Sequence, residues 1–172
     1  PAVPGQGKTT LCAAPAHRGF RLLSDEFGLL RPGSIDLVPV PRPMPLKNES
    51  IDVIRDFAPG AVLGPTIPNT RKGTLAHVRP PADAVGRMGE TARLRFVVFP
   101  RWERAAPLLL EPVGRHETFM QLAGNAFNYE MLGEGAFAAV GRIVDSTRAF
   151  RLVYGRLDEA VEALRGLVDG DA

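Results

Sequence analysis

Ala2-Val3-Pro4-Gly5-Gln6-Gly7-Lys8-Thr9 fits the pattern [A/G]-x-x-x-x-G-K-[S/T], with Ala2 at a position more often held by glycine. Gly5 and Gly7 have no Cβ, so backbone N–H groups can close around an anion there. Lys8 adds a point charge suited to β- and γ-phosphates, and the Thr9 hydroxyl can ligate Mg²⁺. A helix starting near Gly7 would aim its unpaired N–H groups and the positive end of its dipole at the same anion. We therefore read the stretch as a Walker A phosphate loop. Such a loop ordinarily follows a buried parallel strand, and only Pro1 precedes it, so the chain is expected to lack the first strand of its domain.

Working outward, a helix is expected over Lys8 to Ala14, stopped by Pro15, which has no N–H for the Leu11 carbonyl. Phe20 to Leu23 is a short apolar run that reads as a buried strand. It leads into Ser24-Asp25-Glu26, which places two adjacent carboxylates past the end of that strand, where open α/β sheets bind ligands. A phosphoryl-transfer site needs one carboxylate near the metal and another group to orient or deprotonate the nucleophile, and Asp25 with Glu26 can supply both.

Phe27 to Leu30 and Ile35 to Val40 flank the turn Arg31-Pro32-Gly33-Ser34 and suggest a hairpin. Pro39, Pro41, Pro43 and Pro45 then enforce an extended path that presents Arg42 and Lys47. Asn48 can cap a helix over Glu49 to Phe57, with Ile51, Ile54 and Phe57 at core spacing. Ala58 to Asn69 reads as loop, and the basic turn Arg71-Lys72-Gly73 enters a strand from Thr74 to Val78. Leu94 to Phe99, Leu108 to Val113 and Ala149 to Tyr154 read as strands. Glu117 to Ala123, Gly135 to Ser146 and Leu157 to Val168 read as helices. Arg42, Lys47, Arg71 and Lys72 are candidates to neutralise phosphate or to contact an acceptor, with Lys47 and Arg71 favoured by neighbours that restrict their backbones.

Composition bounds the function class. The 172 residues are 45% hydrophobic and 23% charged, ordinary for one globular domain, and no linker or repeat divides them. A net charge of +2 gives little reason to expect nucleic-acid binding. No apolar run reaches membrane-spanning length, and a cytoplasmic protein is the default expectation. Cys12 is the single cysteine, which excludes an internal disulfide and a thiolate metal cluster, and its apolar neighbours read as core. His17, His77 and His116 show no ligand spacing.

The order P-G-Q-G-K-T-T-L-C-A-A, R-L-L-S-D-E, P-R-P-M-P-L-K-N-E-S-I, T-R-K-G-T-L-A-H-V-R-P-P, F-P-R-W and N-A-F-N-Y resembles the HPr kinase-related kinases, from Pro4 to Tyr154. The resemblance implies an α/β fold, a P-loop kinase core of the HPr kinase/phosphoenolpyruvate carboxykinase type, with a mixed sheet flanked by helices. It implies ATP phosphates on the loop, Pro4, Gly5, Gln6, Gly7, Lys8, Thr9 and Thr10, to which the residue reading adds Lys47 and Arg71. It implies Asp25 as catalytic base beside Lys8, and Mg²⁺ on Thr9 and Glu26. The chain has Asp25-Glu26 where HPr kinases carry two aspartates, and no close copy of the hexamer-forming signature of the bifunctional enzymes. The expectation is therefore an ATP-dependent kinase acting on a protein serine or a small hydroxyl acceptor, with a possible homo-oligomer and no nucleic-acid or membrane partner. The alternative is a nucleotide-binding regulatory module that switches a partner without phosphotransfer.

Overall fold

In a computed structural model, which describes Pro1 and residues 6–170, the first helix α1 (Lys8–Ala16) is packed on two sides. It starts after Gly7, whose φ of 77° suits a residue without a Cβ. It also runs through Pro15 to Ala16 instead of stopping at Ala14. Proline removes one hydrogen bond from the last turn, and His17 then closes that turn by donating to the Ala13 and Ala14 carbonyls.

The hairpin β1 (Leu29–Leu30) and β2 (Asp36–Val38) forms antiparallel around Gly33 at φ 76°, as its turn residues dictate. Phe20 to Leu23 forms no strand. Among the described residues Phe20 N–H donates to the Pro15 carbonyl of α1 at 3.1 Å and Val40 N–H donates to the Leu23 carbonyl at 2.7 Å, and one bond to Val40 makes no ladder. The apolar run is buried nonetheless, with Leu22 in the core.

Next come β3 (Met44–Lys47), α2 (Glu49–Phe57), β4 (Ile67–Thr70) and β5 (Gly73–Val78). β3 and β4 flank β5, both antiparallel to it. β4 lies in the segment expected to be loop. Pro68 and its exposed side chains hide it from any pattern of propensity or alternation, and it exists because the Arg71-Lys72-Gly73 turn folds it onto β5.

The chain continues through α3 (Ala82–Gly86), β6 (Ala92–Arg93), β7 (Phe96–Trp102), β8 (Leu109–Pro112), α4 (Arg115–Asn125), α5 (Tyr129–Leu132), α6 (Glu134–Ser146), β9 (Arg148–Tyr154) and α7 (Leu157–Asp169). β9 is central between β7, which runs parallel to it, and β8, which is antiparallel. The architecture is mixed α/β, with seven helices and three small sheets among the described residues. One larger mixed sheet was expected. β1, β2 and β6 are two or three residues long, and β3, β4 and β8 are four-residue strands that contain proline, so each ladder is short, and among the described residues parallel and antiparallel pairing combine only in the β7-β9-β8 sheet.

Alanines let α1 approach its neighbours closely. Ala13, Ala14 and Ala16 share one core with Met44 and Leu46 of β3, Ile51 and Ile54 of α2, and Val78 of β5. Leu11 instead joins Leu152 and Tyr154 of β9 and Ala160 of α7. α1 is thus wedged between the β3–α2 unit and the β9–α7 unit, and its N-terminal end is held between them.

Candidate functional site

Pro4 and Gly5 of the phosphate-loop motif lie outside the described residues. Gln6 and Gly7 form a bend, and Leu11 N–H donates to the Gly7 carbonyl at 2.9 Å, which sets the first turn of α1. A Cβ on Gly7 would come 2.8 Å from the Tyr154 hydroxyl and 3.2 Å from Trp102 Cβ. Gly7 therefore rests against the ends of β7 and β9, and glycine is required there by contact as well as by φ.

Thr9 and Asp25 meet. The Thr9 hydroxyl acts as a hydrogen-bond donor to the Asp25 carboxylate, and the charges of Lys8 and Lys47 also act on it. Burial is the strongest influence and raises the Asp25 pKa above the usual carboxylate value, while Thr9, Lys47 and Lys8 pull it down and Glu26 pushes it up. Asp25 Oδ1 is buried and has no hydrogen-bond partner among the described residues. Behind it, Cys12 donates to the Ser24 carbonyl at 3.5 Å, and burial with the nearby Asp25 charge pushes its thiol up to about 12. That is the chemistry of an inert core thiol, not of a nucleophile.

Lys47 is held by its backbone. Its N–H donates to Ser50 Oγ, and the Ser50 hydroxyl donates to the Lys47 carbonyl, both at 2.7 Å. Asn48, at φ 50°, does not cap α2 through its side chain. Its Oδ1 accepts from Thr74 N–H at 3.0 Å, which ties the β3–α2 bend to the hairpin carrying Arg71. Ser50 and Asn48 thus restrict the backbone around Lys47. Arg71 and Lys72 sit exposed at the β4–β5 turn, and neither has a hydrogen-bonded or ion-paired side chain among the described residues. Thr10 is half-buried on α1.

Glu26 is exposed and paired with Arg42 at 2.6 Å. The two residues, with Pro43, Pro45 and His77, line an open groove of about 480 Å³ beside Asp25-Glu26. His77 was not picked out by sequence, since nothing in its spacing shows that β5 pairing sets it opposite Pro45. Tyr154 escaped notice for the same reason, as its proximity to Gly7 is created by the fold alone.

Among the described residues no group of three His, Cys, Asp or Glu could hold a metal ion. Mg²⁺ in nucleotide sites needs less, because it keeps waters and phosphate oxygens in its shell and takes one or two protein oxygens. Thr9 with the unpartnered Asp25 Oδ1 and the adjacent Glu26 fits that donor set, provided Glu26 turns from Arg42. No described helix is long and apolar enough to cross a membrane.

Comparison of the chain with protein-family models, with curated proteins and with solved structures returned no match.

Proposed function

We propose that this chain is an ATP-dependent kinase of the HPr kinase-related type, built on a P-loop kinase core. It transfers the γ-phosphoryl group to a hydroxyl acceptor, foremost a protein serine. The observation that carries the proposal is the half-buried Asp25 carboxylate, hydrogen-bonded by Thr9 at the second residue of α1, with one oxygen unpartnered among the described residues and the charges of Lys47 and Lys8 acting on it. The second, adjacent carboxylate of Glu26 favours catalysis over nucleotide binding alone, since binding needs one metal carboxylate and the pair leaves the other free to act as base.

In this mechanism the motif from Pro4 to Thr10 cradles the ATP phosphates, and Asp25 accepts the proton of the acceptor hydroxyl. The hydroxyl oxygen forms a bond to the γ-phosphorus as the bond to the β–γ bridging oxygen breaks, and ADP leaves. The raised pKa makes Asp25 a stronger base than an ordinary aspartate. Lys8 and Lys47 balance charge on the moving phosphoryl group, and Arg42 and Arg71 are within the set that can meet the acceptor. Thr9 and Glu26 would hold Mg²⁺, which supplies neutralisation of phosphate charge.

The test is γ-labelled ATP with Mg²⁺, presented to the protein together with an extract as the acceptor pool. Label carried by a protein or small hydroxyl compound with wild type, and lost with Lys8→Ala, supports the proposal. Nucleotide binding without transfer overturns it and favours a regulatory switch.

A further inference from the structure

Exposed apolar side chains gather along residues 120–137, beside this site at Phe127. Met131 and Phe127 are 87% and 76% exposed, and Met120, Leu132 and Phe137 are each more than half exposed. They lie on α4, on the entry and length of α5, and on the first turn of α6. The same helices bury Thr118, Ala136, Val140 and Ile143, and none of the exposed apolar residues belongs to a core cluster. Exposed apolar surface on this scale marks a contact with something else.

Its position points to the phosphoryl acceptor. The Phe127 ring lies 5.2 Å from the ring of Phe27, two residues beyond Asp25. Phe27 N–H donates to Ser24 Oγ at 3.3 Å, which fixes the turn that carries Asp25 and Glu26. A polypeptide seated on the face therefore reaches the carboxylates without crossing the molecule.

Charge specifies the partner. Residues 117–141 contain no Lys or Arg, although the chain has 21. Glu130 and Glu134, on either side of Met131 and Leu132, are exposed, and neither has an ion-pair partner among the described residues. We infer that this face docks a basic amphipathic segment of the acceptor polypeptide, with apolar side chains on Phe127, Met131, Leu132 and Phe137 and cations on Glu130 and Glu134. A second copy of the chain is disfavoured, since two-fold pairing would set these carboxylates against each other. Only the naming of the occupant as acceptor rests on the phosphotransfer proposal. The docking surface stands on its own observations.

Two labelled probes test it by fluorescence anisotropy at low salt: a designed amphipathic helix of Leu and Lys, and one of Leu and Glu, each bearing a serine. The chain's net charge of +2 gives no general attraction for the Lys probe, so a preference for it reports the local face. The Leu/Lys helix is expected to bind at least roughly tenfold tighter, and Glu130→Lys with Glu134→Lys to reverse the order. Met131→Ser with Phe137→Ser is expected to lose binding of the Leu/Lys helix, and because the Phe137 ring also lies 5.1 Å from that of Phe119, Met131→Ser alone, at an 87% exposed position, is expected to weaken binding with the fold untouched. Equal binding of both helices, or indifference to these substitutions, overturns the inference. So does a wild-type dimer that Met131→Ser with Phe137→Ser dissolves. Leu/Lys binding without phosphate transfer to any acceptor counts against the kinase proposal and leaves the docking surface in place.

Discussion

The Tyr154 hydroxyl lies 2.8 Å from the point where a Cβ on Gly7 would sit, although 146 residues separate the two in sequence. That hydroxyl is buried, has no hydrogen-bond partner among the described residues, and its pKa is raised by burial to about 12. The strand end that closes the core thus also packs against Gly7, at the start of α1. Gly7→Ala is expected to cost about 1–2 kcal/mol for its left-handed φ and about 1–3 kcal/mol for overpacking against Tyr154 and Trp102. Tyr154→Phe removes an unsatisfied buried donor and is expected to stabilise by about 1 kcal/mol. The double variant should lose less than the sum, because the hydroxyl is part of the clash. Urea unfolding of the three variants measures this, and simple additivity would contradict the contact.

Lys8→Ala is expected to leave the fold intact and to weaken nucleotide binding by about 1.5–3 kcal/mol, the scale of a hydrogen bond to a charged group. The measurement is the thermal shift produced by MgATP. A shift equal to that of wild type would refute the role of the loop.

Asp25→Asn separates stability from turnover. The pKa of Asp25 is raised in the folded protein, so the folded state binds the proton more tightly than the unfolded chain does. Its charged form therefore opposes folding at neutral pH, and this penalty disappears as pH falls through the folded pKa. Asn is neutral at every pH, so Asp25→Asn is expected to raise Tm at neutral pH, with the gain narrowing in acid. Phosphoryl transfer should meanwhile fall by roughly 10²–10⁴, the usual contribution of a general base. A lowered neutral Tm would contradict the buried environment, and full transfer activity would exclude Asp25 as the base.

Asn48→Ala is expected to destabilise by about 1–3 kcal/mol, because it strains a positive φ and removes the acceptor for Thr74 N–H. Asn48→Gly relieves the backbone but not the lost bond, so it should fall between Ala and wild type. Denaturation midpoints rank the three. If Ala and Gly are equally damaging, the positive φ carries no cost.

Local chemistry accounts for what could be read along the chain. Ile51 and Ile54 recur at helical spacing, and α2 forms over the expected residues with both buried. Gly73 and the β-branched Thr74 and Val78 bound a strand, and β5 is there. Arg31-Pro32-Gly33-Ser34 turns because proline and glycine restrict or free φ as that turn requires. In each case residues within a turn or two of one another carry the information. The pairing of Thr9 with Asp25 was legible in part, since a phosphate-loop hydroxyl and the next acidic pair were both candidates, but their meeting was not.

Long-range contacts were decided by tertiary structure. Phe20 to Leu23 has the composition of a strand, yet a strand exists only through a neighbour's ladder, and one bond to Val40 is what the fold supplies. Ile67 to Thr70 lacks that composition and is a strand because β5 lies beside it. Glu26 is bound to Arg42, Tyr154 lies under Gly7, and Phe127 meets Phe27, none of which has any signature in spacing. The sequence by itself determined the turns and the helical faces, because these depend on side chains a few bonds apart. Which distant groups share one site was settled only when α1 was packed between β3–α2 and β9–α7, because burial is a property of the whole core.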